Sequence, residues 1–500
     1  MATGKSITQA EFGDFQTPPE LARAVVDRLR RGGLAPRSVP EPPCGQGNLL
    51  FEALHQLDTV ERAVGIDRNE AYIADARGSL ARHPQCELHR ADVFDVDWPD
   101  VIASLPEPLL VLGNPPWITS AELGRIGSAN RPPRLNPEGR LGFEAVTGRS
   151  NFDLSEWLLQ RALNWTQGRD ATVAMLCKTQ VARRALEAAW RHDTALATGD
   201  LFRINASRHF GASVDACLLV VSSTEDRATH QCRVHADLEV SASSTFGLRS
   251  DRLVADVEAH GRWAHLAGTS PEPYRWRSGI KHDCAAVMEL RESDRGLLNG
   301  ADELVEIESE LLFPLRKSAE LGSRAPRGDP RWLIVPQRTT GDDTASLATR
   351  APRAWQYLCR HAARLDARRS TIYRGRPRFA VFGIGHYSFA PWKLAISGLY
   401  KRLSFRVVGP RAGRPTVLDD TCYALPCRDE IEARFLLELV ESEPAREFLG
   451  ARVFWDAKRP ITIGLLSQLD LSRLAAELGR TNTLQRYLDE PVERRGAAGM

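Results

Sequence analysis

Asn114-Pro115-Pro116-Trp117 is the stretch of this 500-residue chain whose residue types point most directly to chemistry. It follows an apolar run, Leu109-Leu110-Val111-Leu112-Gly113, that reads as a buried strand. Two prolines cannot continue a hydrogen-bonded ladder, so the chain leaves the sheet in one stiff course. That course sets Asn114 and Trp117 at the carboxyl end of the strand, where ligands bind in sheets of this kind. The side-chain oxygen of Asn114 and the main-chain carbonyl of Pro115 are then two neighbouring acceptors. Such a pair suits an exocyclic amine on adenine, a poor nucleophile because its lone pair is delocalised into the ring. Holding both of its N–H groups favours a tetrahedral nitrogen with the lone pair free to attack. No strong base is needed when the electrophile is already reactive, and the protein then supplies orientation and electrostatics. Trp117 offers a flat face for stacking on a base that has left its duplex. An ordinary turn would account for the four residues alone. Their place downstream of a glycine loop and two acids argues for the chemical reading.

The glycine loop is Glu41-Pro42-Pro43-Cys44-Gly45-Gln46-Gly47-Asn48-Leu49-Leu50. A strand ends, a turn containing Gly45 and Gly47 follows, and an apolar helix begins, a form that lets the backbone approach a ligand closely. Asp67 ends the next apolar run, Ala63-Val64-Gly65-Ile66, where an acid can accept from ribose hydroxyls. The third glycine of the dinucleotide fingerprint is missing, because Leu50 stands in its place. That departure favours a ligand without a pyrophosphate. S-adenosylmethionine has a carboxylate, an ammonium, a sulfonium and a nucleoside, and Glu41 and Asp67 suit its cationic and ribose parts. Asp92, after a third candidate strand, can accept from its adenine amine or serve as a turn residue. Upstream, Thr17-Pro18-Pro19-Glu20 reads as a capping box, with Thr17 as the cap.

These residues need a frame. Buried strands are expected at Ala63–Ile66, Leu109–Leu112, Val173–Cys177 and Ala216–Val221, with helices at Ala71–Arg82 and Leu154–Asn164 between them. The alternation predicts an α/β fold with a doubly wound, mostly parallel sheet. Thr119–Ser150, rich in Gly, Pro, Arg and Asn, reads as a long functional loop. Polar Ser222–His230 closes a first domain, expected over 1–225; a mixed α+β domain is expected over 226–490. Within Ala351–Pro410 about a dozen Arg and Lys stand against one acid, Asp366, interleaved with aromatics, the footprint of a nucleic-acid surface. A net charge of +2 makes any such surface a local patch. Nine scattered cysteines without a CxxC pair predict a reduced cytosolic protein with no zinc site. The polar Met1–Phe15 segment has no signal-peptide core, and no apolar run approaches the roughly 18 residues of a membrane span.

In its motifs and their order the chain resembles the N6-adenine DNA methyltransferases of restriction–modification systems, type II, gamma group. Phe15-Gln16-Thr17-Pro18 comes first, then the glycine loop, then Asn-Pro-Pro-Trp, then a large C-terminal region. Ser150-Asn151-Phe152-Asp153 and Met175-Leu176-Cys177-Lys178 resemble segments lining the cofactor pocket. His209-Phe210 before Val214-Asp215-Ala216-Cys217-Leu218 resembles a motif whose aromatic stacks on the flipped base, with spacing one residue short. Trp276–Cys284, Arg376–Gly385 and Lys393–Lys401 resemble segments of the recognition region.

The resemblance implies a class I S-adenosylmethionine-dependent methyltransferase fold over 1–225 and a DNA target-recognition domain over 226–490. It implies catalysis by Asn114, Pro115, Pro116 and Trp117. The cofactor would be held by Thr17, Glu41, Pro42, Cys44, Gly45, Gly47, Asp67, Asp92, Asn114 and Phe152. Trp117 and Phe210 would stack on the base, and Lys281, Arg376, Arg378, Tyr387, Lys393 and Lys401 would contact duplex DNA. His282 and Asp283 are read as structural or DNA-contacting. The expected setting is the bacterial cytoplasm, as a monomer without a membrane. A cognate restriction endonuclease would act on the same site without stable binding. RNA or protein-glutamine methylation remains an alternative, as does a catalytically dead DNA-binding module; tritiated cofactor offered with DNA, RNA or protein separates them.

Overall fold

Strand β4 (Leu109–Gly113) is buried at every residue, which is why its sequence has no polar alternation. It lies inside a ten-stranded sheet of the computed structural model, which describes residues 15–118, 153–224, 228–322 and 330–489. Its neighbours are β1 (Ser38–Glu41) and β5 (Ala171–Lys178), both parallel to it. β2 (Arg62–Asp67) and β3 (Cys86–Arg90) continue in parallel beyond β1. The chain therefore winds outward one way through β1, β2 and β3 and the other way through β4 and β5. The reversal between β1 and β4 opens a crevice at the carboxyl ends of the strands.

Past β5 the sheet departs from the expected parallel pattern. β7 (Ala216–Ser222) enters between β5 and β6 (Gly199–Ile204) and runs antiparallel to both. β8 (Gln231–His235), β9 (Ala242–Arg249) and β10 (Arg252–Val254) then extend the same sheet. The expected boundary at 225/226 is corrected by this pairing: the first compact unit runs to Val257 and the second begins at Glu258. The polar stretch that suggested a border connects two strands of one sheet.

The helices covering the sheet follow from local sequence. α1 (Pro19–Arg31) starts at a proline whose missing N–H costs nothing at that position. It buries Leu21, Ala22, Val25, Val26 and Leu29, one face at helical spacing, and carries Arg28, Arg30 and Arg31 in the last turn, where the helix dipole favours cations. α2 (Asn48–Gln56) leaves the glycine loop after β1, and α3 (Glu70–Ser79) is capped by the Asn69 side chain after β2. α4 (Trp98–Ala103) precedes β4, and α5 (Leu154–Trp165), capped by Asp153, precedes β5. α6 (Thr179–Arg191) and the short α7 (Ala206–Phe210) follow β5 and β6. Phe152 and the loop expected over 119–150 lie outside the described residues.

The second unit has two sheets. β11 (Arg277–Ser278), β16 (Trp392–Ser397), β17 (Phe405–Val408) and β19 (Cys422–Cys427) form one, in the order β11-β19-β16-β17. β12 (Glu289–Ser293), β13 (Gly296–Leu298), β14 (Leu312–Arg316), β15 (Arg331–Ile334) and β18 (Val417–Leu418) form the other, in the order β13-β12-β15-β14-β18. A helix-rich core around Leu436, Phe448 and Leu474 backs the first, and one around Leu333, Leu358 and Phe379 backs the second. No described helix is long and apolar enough to cross a membrane.

Candidate active site

A cavity of about 970 Å³, its open mouth included, lies at the carboxyl ends of β1 to β4. Thr17, Glu41, Cys44, Gly45, Asp67, Asp92, Asn114 and Pro116, all singled out in the sequence, line it together. Gly45 and Gly47 hold the loop in left-handed conformations, φ +52° and +77°. A Cβ on Gly45 would press into the side-chain amide of Gln16. The Gly45 N–H donates to Asp67 Oδ2 at 3.0 Å and the Asn69 N–H to Asp67 Oδ1 at 2.8 Å. Asp92 lies two residues beyond β3; its Oδ1 accepts from the Phe94 N–H at 3.1 Å and its Oδ2 stands 3.5 Å from Arg68.

The segment 15–17 straps the loop to the Asn-Pro-Pro-Trp motif. Gln16 Oε1 accepts from the Gln46 N–H at 2.9 Å, and the Thr17 carbonyl accepts from Asn48 Nδ2 at 2.8 Å. Asn114 Nδ2 donates to the Phe15 carbonyl at 2.7 Å and to Thr17 Oγ1 at 3.2 Å. A carbonyl can only accept, so these two bonds fix which end of the Asn114 amide is nitrogen. Asn114 Oδ1 is left buried without a hydrogen-bond partner among the described residues. Thr17 does not cap α1, as the capping-box reading expected. Pro18 occupies the cap position without a side-chain bond, and the threonine hydroxyl turns to Asn114 instead.

Glu41 ends β1 enclosed, and its Oε2 also has no hydrogen-bond partner among the described residues. Burial pushes its carboxyl well above the ordinary range; the Leu50 amide opposes this and the charge of Asp67 adds to it. A cation brought beside it would restore the carboxylate. Cys44 is buried with its thiol pushed well up, chiefly by burial, so it stays protonated. Phe94, Trp157, Tyr72 and Pro116 give the cavity flat apolar walls. Acids for an ammonium and a ribose, beside apolar faces for a nucleobase, fit S-adenosylmethionine.

Pro42, Gly47, Pro115 and Trp117 do not line the cavity. Pro42 and Gly47 belong to the loop, and Pro115 is buried. Trp117 is 5% exposed, its ring 5.4 Å from that of Phe15 and 5.0 Å from that of Phe210. The two aromatics named from sequence are thus in contact, with Phe15 as a third member. Lys178, at the end of β5, donates to the Trp117 carbonyl at 2.9 Å and to buried Asp153 at 2.5 Å. This ties the Asn-Pro-Pro-Trp turn to the start of α5. Sequence reading placed Gln16 and Asn48 inside motifs without giving them a role, and did not single out Arg68, Tyr72 or Trp157. Arg68 was the most findable, directly after Asp67. The others are polar or aromatic positions whose partners are remote in sequence.

In the second unit Lys281 pairs through its backbone with Phe382 and through its side chain with Asp283 at 3.5 Å. Arg376 is exposed, 6.0 Å from the Phe382 ring, and Arg378 is exposed but paired with Asp366 at 2.7 Å. Tyr387 is half-buried beneath the Arg277 guanidinium, and Lys401 is exposed. Lys393 is a correction: it is 3% exposed, with Nζ donating to the Ala390 carbonyl at 2.6 Å. Burial lowers it to about 7, so it is not a surface cation poised for phosphate. His282 is structural, 3.3 Å from Glu289. Among the described residues no cluster of three or more His, Cys, Asp or Glu could hold a metal ion.

No family model matches the chain. It is 38% identical over 470 residues to the type II methyltransferase M.NspV of Nostoc sp., covering 94% of this chain and 98% of that protein. Among solved structures it resembles the type IIL restriction-modification enzyme MmeI, solved in complex with DNA. That likeness has a TM-score of 0.53 at 13% identity, over 97% of this chain and 69% of MmeI, and it concerns the fold. The fold is that of class I methyltransferases, and S-adenosylmethionine is the methyl donor. With nearly its whole length shared with one such enzyme, the chain belongs to the type II methyltransferase family.

Proposed function

We propose that this protein is a site-specific DNA adenine N6-methyltransferase acting on a base flipped out of duplex DNA. The observation that carries the proposal is the buried, partnerless Asn114 Oδ1, its amide oriented by Phe15 and Thr17 at the rim of the cofactor cavity. An acceptor fixed in this way, next to the Pro115 carbonyl in sequence, matches the two N–H groups of an exocyclic amine. S-adenosylmethionine, when bound, supplies a methyl group made electrophilic by its sulfonium. Glu41, Asp67 and Asp92 are the side chains suited to hold it. Asn114, accepting from an N–H of the amine, polarises that bond so that density gathers on nitrogen and the lone pair localises; it does not keep the proton, which the methylated nitrogen sheds to water. Cys44, enclosed and protonated, is unsuited to the covalent attack that methylation at a ring carbon would ask of a thiol.

Seating a base against Trp117 requires the Phe15–Trp117–Phe210 cluster to open one face of the indole. The bulk of the second unit, with arginines over aromatic rings, supports duplex DNA over RNA or a protein amide as the substrate. The name of the Nostoc relative and the DNA bound to MmeI point the same way. Residence in the bacterial cytoplasm, action as a monomer and a cognate endonuclease sharing the site complete the reading.

The test is incubation with duplex DNA and labelled cofactor, digestion to nucleosides, and mass analysis. N6-methyladenine is the expected product. N4-methylcytosine would keep the amine chemistry and change the base; 5-methylcytosine, or label confined to RNA or protein, would overturn the proposal. Asn114→Ala is expected to lower transfer by about a thousandfold, as loss of an oriented polar group at a reacting centre does, while calorimetry finds cofactor affinity within a few-fold of the native chain.

A further inference from the structure

Three arginines of the second unit gather outside every segment that the sequence motifs mark. Arg338 follows β15, Arg350 ends the helix Leu347–Arg350, and Arg414 precedes β18. The Arg338 guanidinium lies 4.4 Å from the Phe389 ring centre and 5.0 Å from that of Phe313. Those rings are 5.0 Å apart, so the cation stands on a paired aromatic platform. It makes no ion pair and no side-chain hydrogen bond among the described residues, although its residue is exposed. Arg414 is held by the carbonyls of Ser309 at 2.7 Å and Leu312 at 3.3 Å, contacts that position its charge without neutralising it. Arg350 stands 3.7 Å from Glu310. Partial desolvation of the guanidinium against the two rings is the main cause holding Arg338 below the usual range; the charges of Arg350 and Arg414 add to it and Glu310 opposes it.

Three like charges on rigid supports face two carboxylates, Glu310 and Asp342, the latter already accepting from the Arg338 backbone N–H at 2.8 Å, so a net positive charge is left. An anionic ligand balances that charge, and guanidinium forks match phosphate oxygens. We infer that Arg338, Arg350 and Arg414 form a phosphate-contact site for the backbone of duplex DNA. The inference rests on the DNA reading above and adds to it a sequence-independent anchor. The aromatic platform makes the anchor stiff: the Arg338 side chain is ordered before DNA arrives, so little further side-chain freedom is lost on binding. The contact is to the backbone, so it sets position and affinity and carries no base preference.

The experiment measures binding of the full-length protein to labelled duplexes of mixed sequence by fluorescence anisotropy across a salt series. Arg338→Gln and Arg414→Gln are each expected to weaken binding about tenfold on every duplex and to reduce the slope of log affinity against log salt by about one. Arg338→Lys, which keeps the charge, retains the slope. Arg434→Gln, on a helix face paired with Glu430, matches the native chain. Arg350→Gln, at an exposed helix end, gives a second reading should either of the first two variants melt early. Native affinity and slope in the Gln variants, with the native chain binding DNA, would overturn this site alone. Failure of the native chain to bind duplex DNA would overturn the DNA reading and the site with it. Inorganic phosphate competing far better than chloride at matched ionic strength would reassign the site to a small phosphate ligand.

Discussion

In the proposed reaction Asn114 would act through the direction of one amide. Its nitrogen is satisfied by the Phe15 carbonyl and the Thr17 hydroxyl, and its oxygen is left unmatched. A buried acceptor without a donor costs free energy, and a site that holds one is built for a donor to arrive. Thr17→Val removes the hydroxyl acceptor and keeps the shape. Single-turnover methyl transfer is expected to fall about tenfold, the worth of one hydrogen bond, with cofactor affinity nearly unchanged. Thr17→Ser should restore the rate. A native rate in the valine variant would show that the strap does not orient the amide. The residue types at 114–117 were legible because each has a chemical reason to follow a buried strand. The partner of Asn114 was not, because 97 residues separate it from Thr17. Lys393 illustrates the opposite failure: its charge suggests surface in a basic window, yet β16 carries it inward among apolar neighbours.

At the scale of elements, the glycine loop between β1 and α2 is where backbone conformation and ligand binding meet. Gly45 is left-handed, its N–H is committed to Asp67, and the space a side chain would fill holds Gln16. Gly45→Ala therefore strains the turn by about 1–3 kcal/mol and pushes the strap away. A cofactor affinity lower by about tenfold and a melting temperature lower by a few degrees are the expected results. An alanine variant that binds the cofactor as the native chain does would mean the loop is softer than its geometry implies. The four strands expected from apolar runs all formed within about two residues of their expected ends, since continuous apolar runs can be buried only inside a covered sheet. The direction of β7 was hidden. An apolar run is equally at home parallel or antiparallel, and the choice was made by the return of the chain through β6.

At the scale of the whole molecule, acid stability singles out Glu289 in the second unit. Burial opposes its ionisation, but His282 and Lys317 hold its carboxyl down at about 2, against an ordinary 4.5; Arg331 also lies 3.3 Å away. A depressed carboxyl stabilises the fold above its unfolded value and loses that contribution as pH falls through its folded one. The contribution, about 3 kcal/mol by linkage, is complete above about pH 4.5 and gone below about 2. Urea unfolding of the full-length protein between those limits should lose stability steadily with acid, and Glu289→Gln should flatten that part of the profile. An unchanged slope in the variant would remove Glu289 as the source. The sequence by itself determined the order of the motifs, the buried strands of the first sheet and the glycine turn, because each depends on neighbours a few residues away. Tertiary structure alone decided that the first unit runs to Val257, that Thr17 bonds Asn114 and does not cap a helix, and which arginines share one patch. Those outcomes depend on which remote segments share a sheet edge, a hydrogen bond or a patch of surface, and local residue patterns carry no record of such meetings.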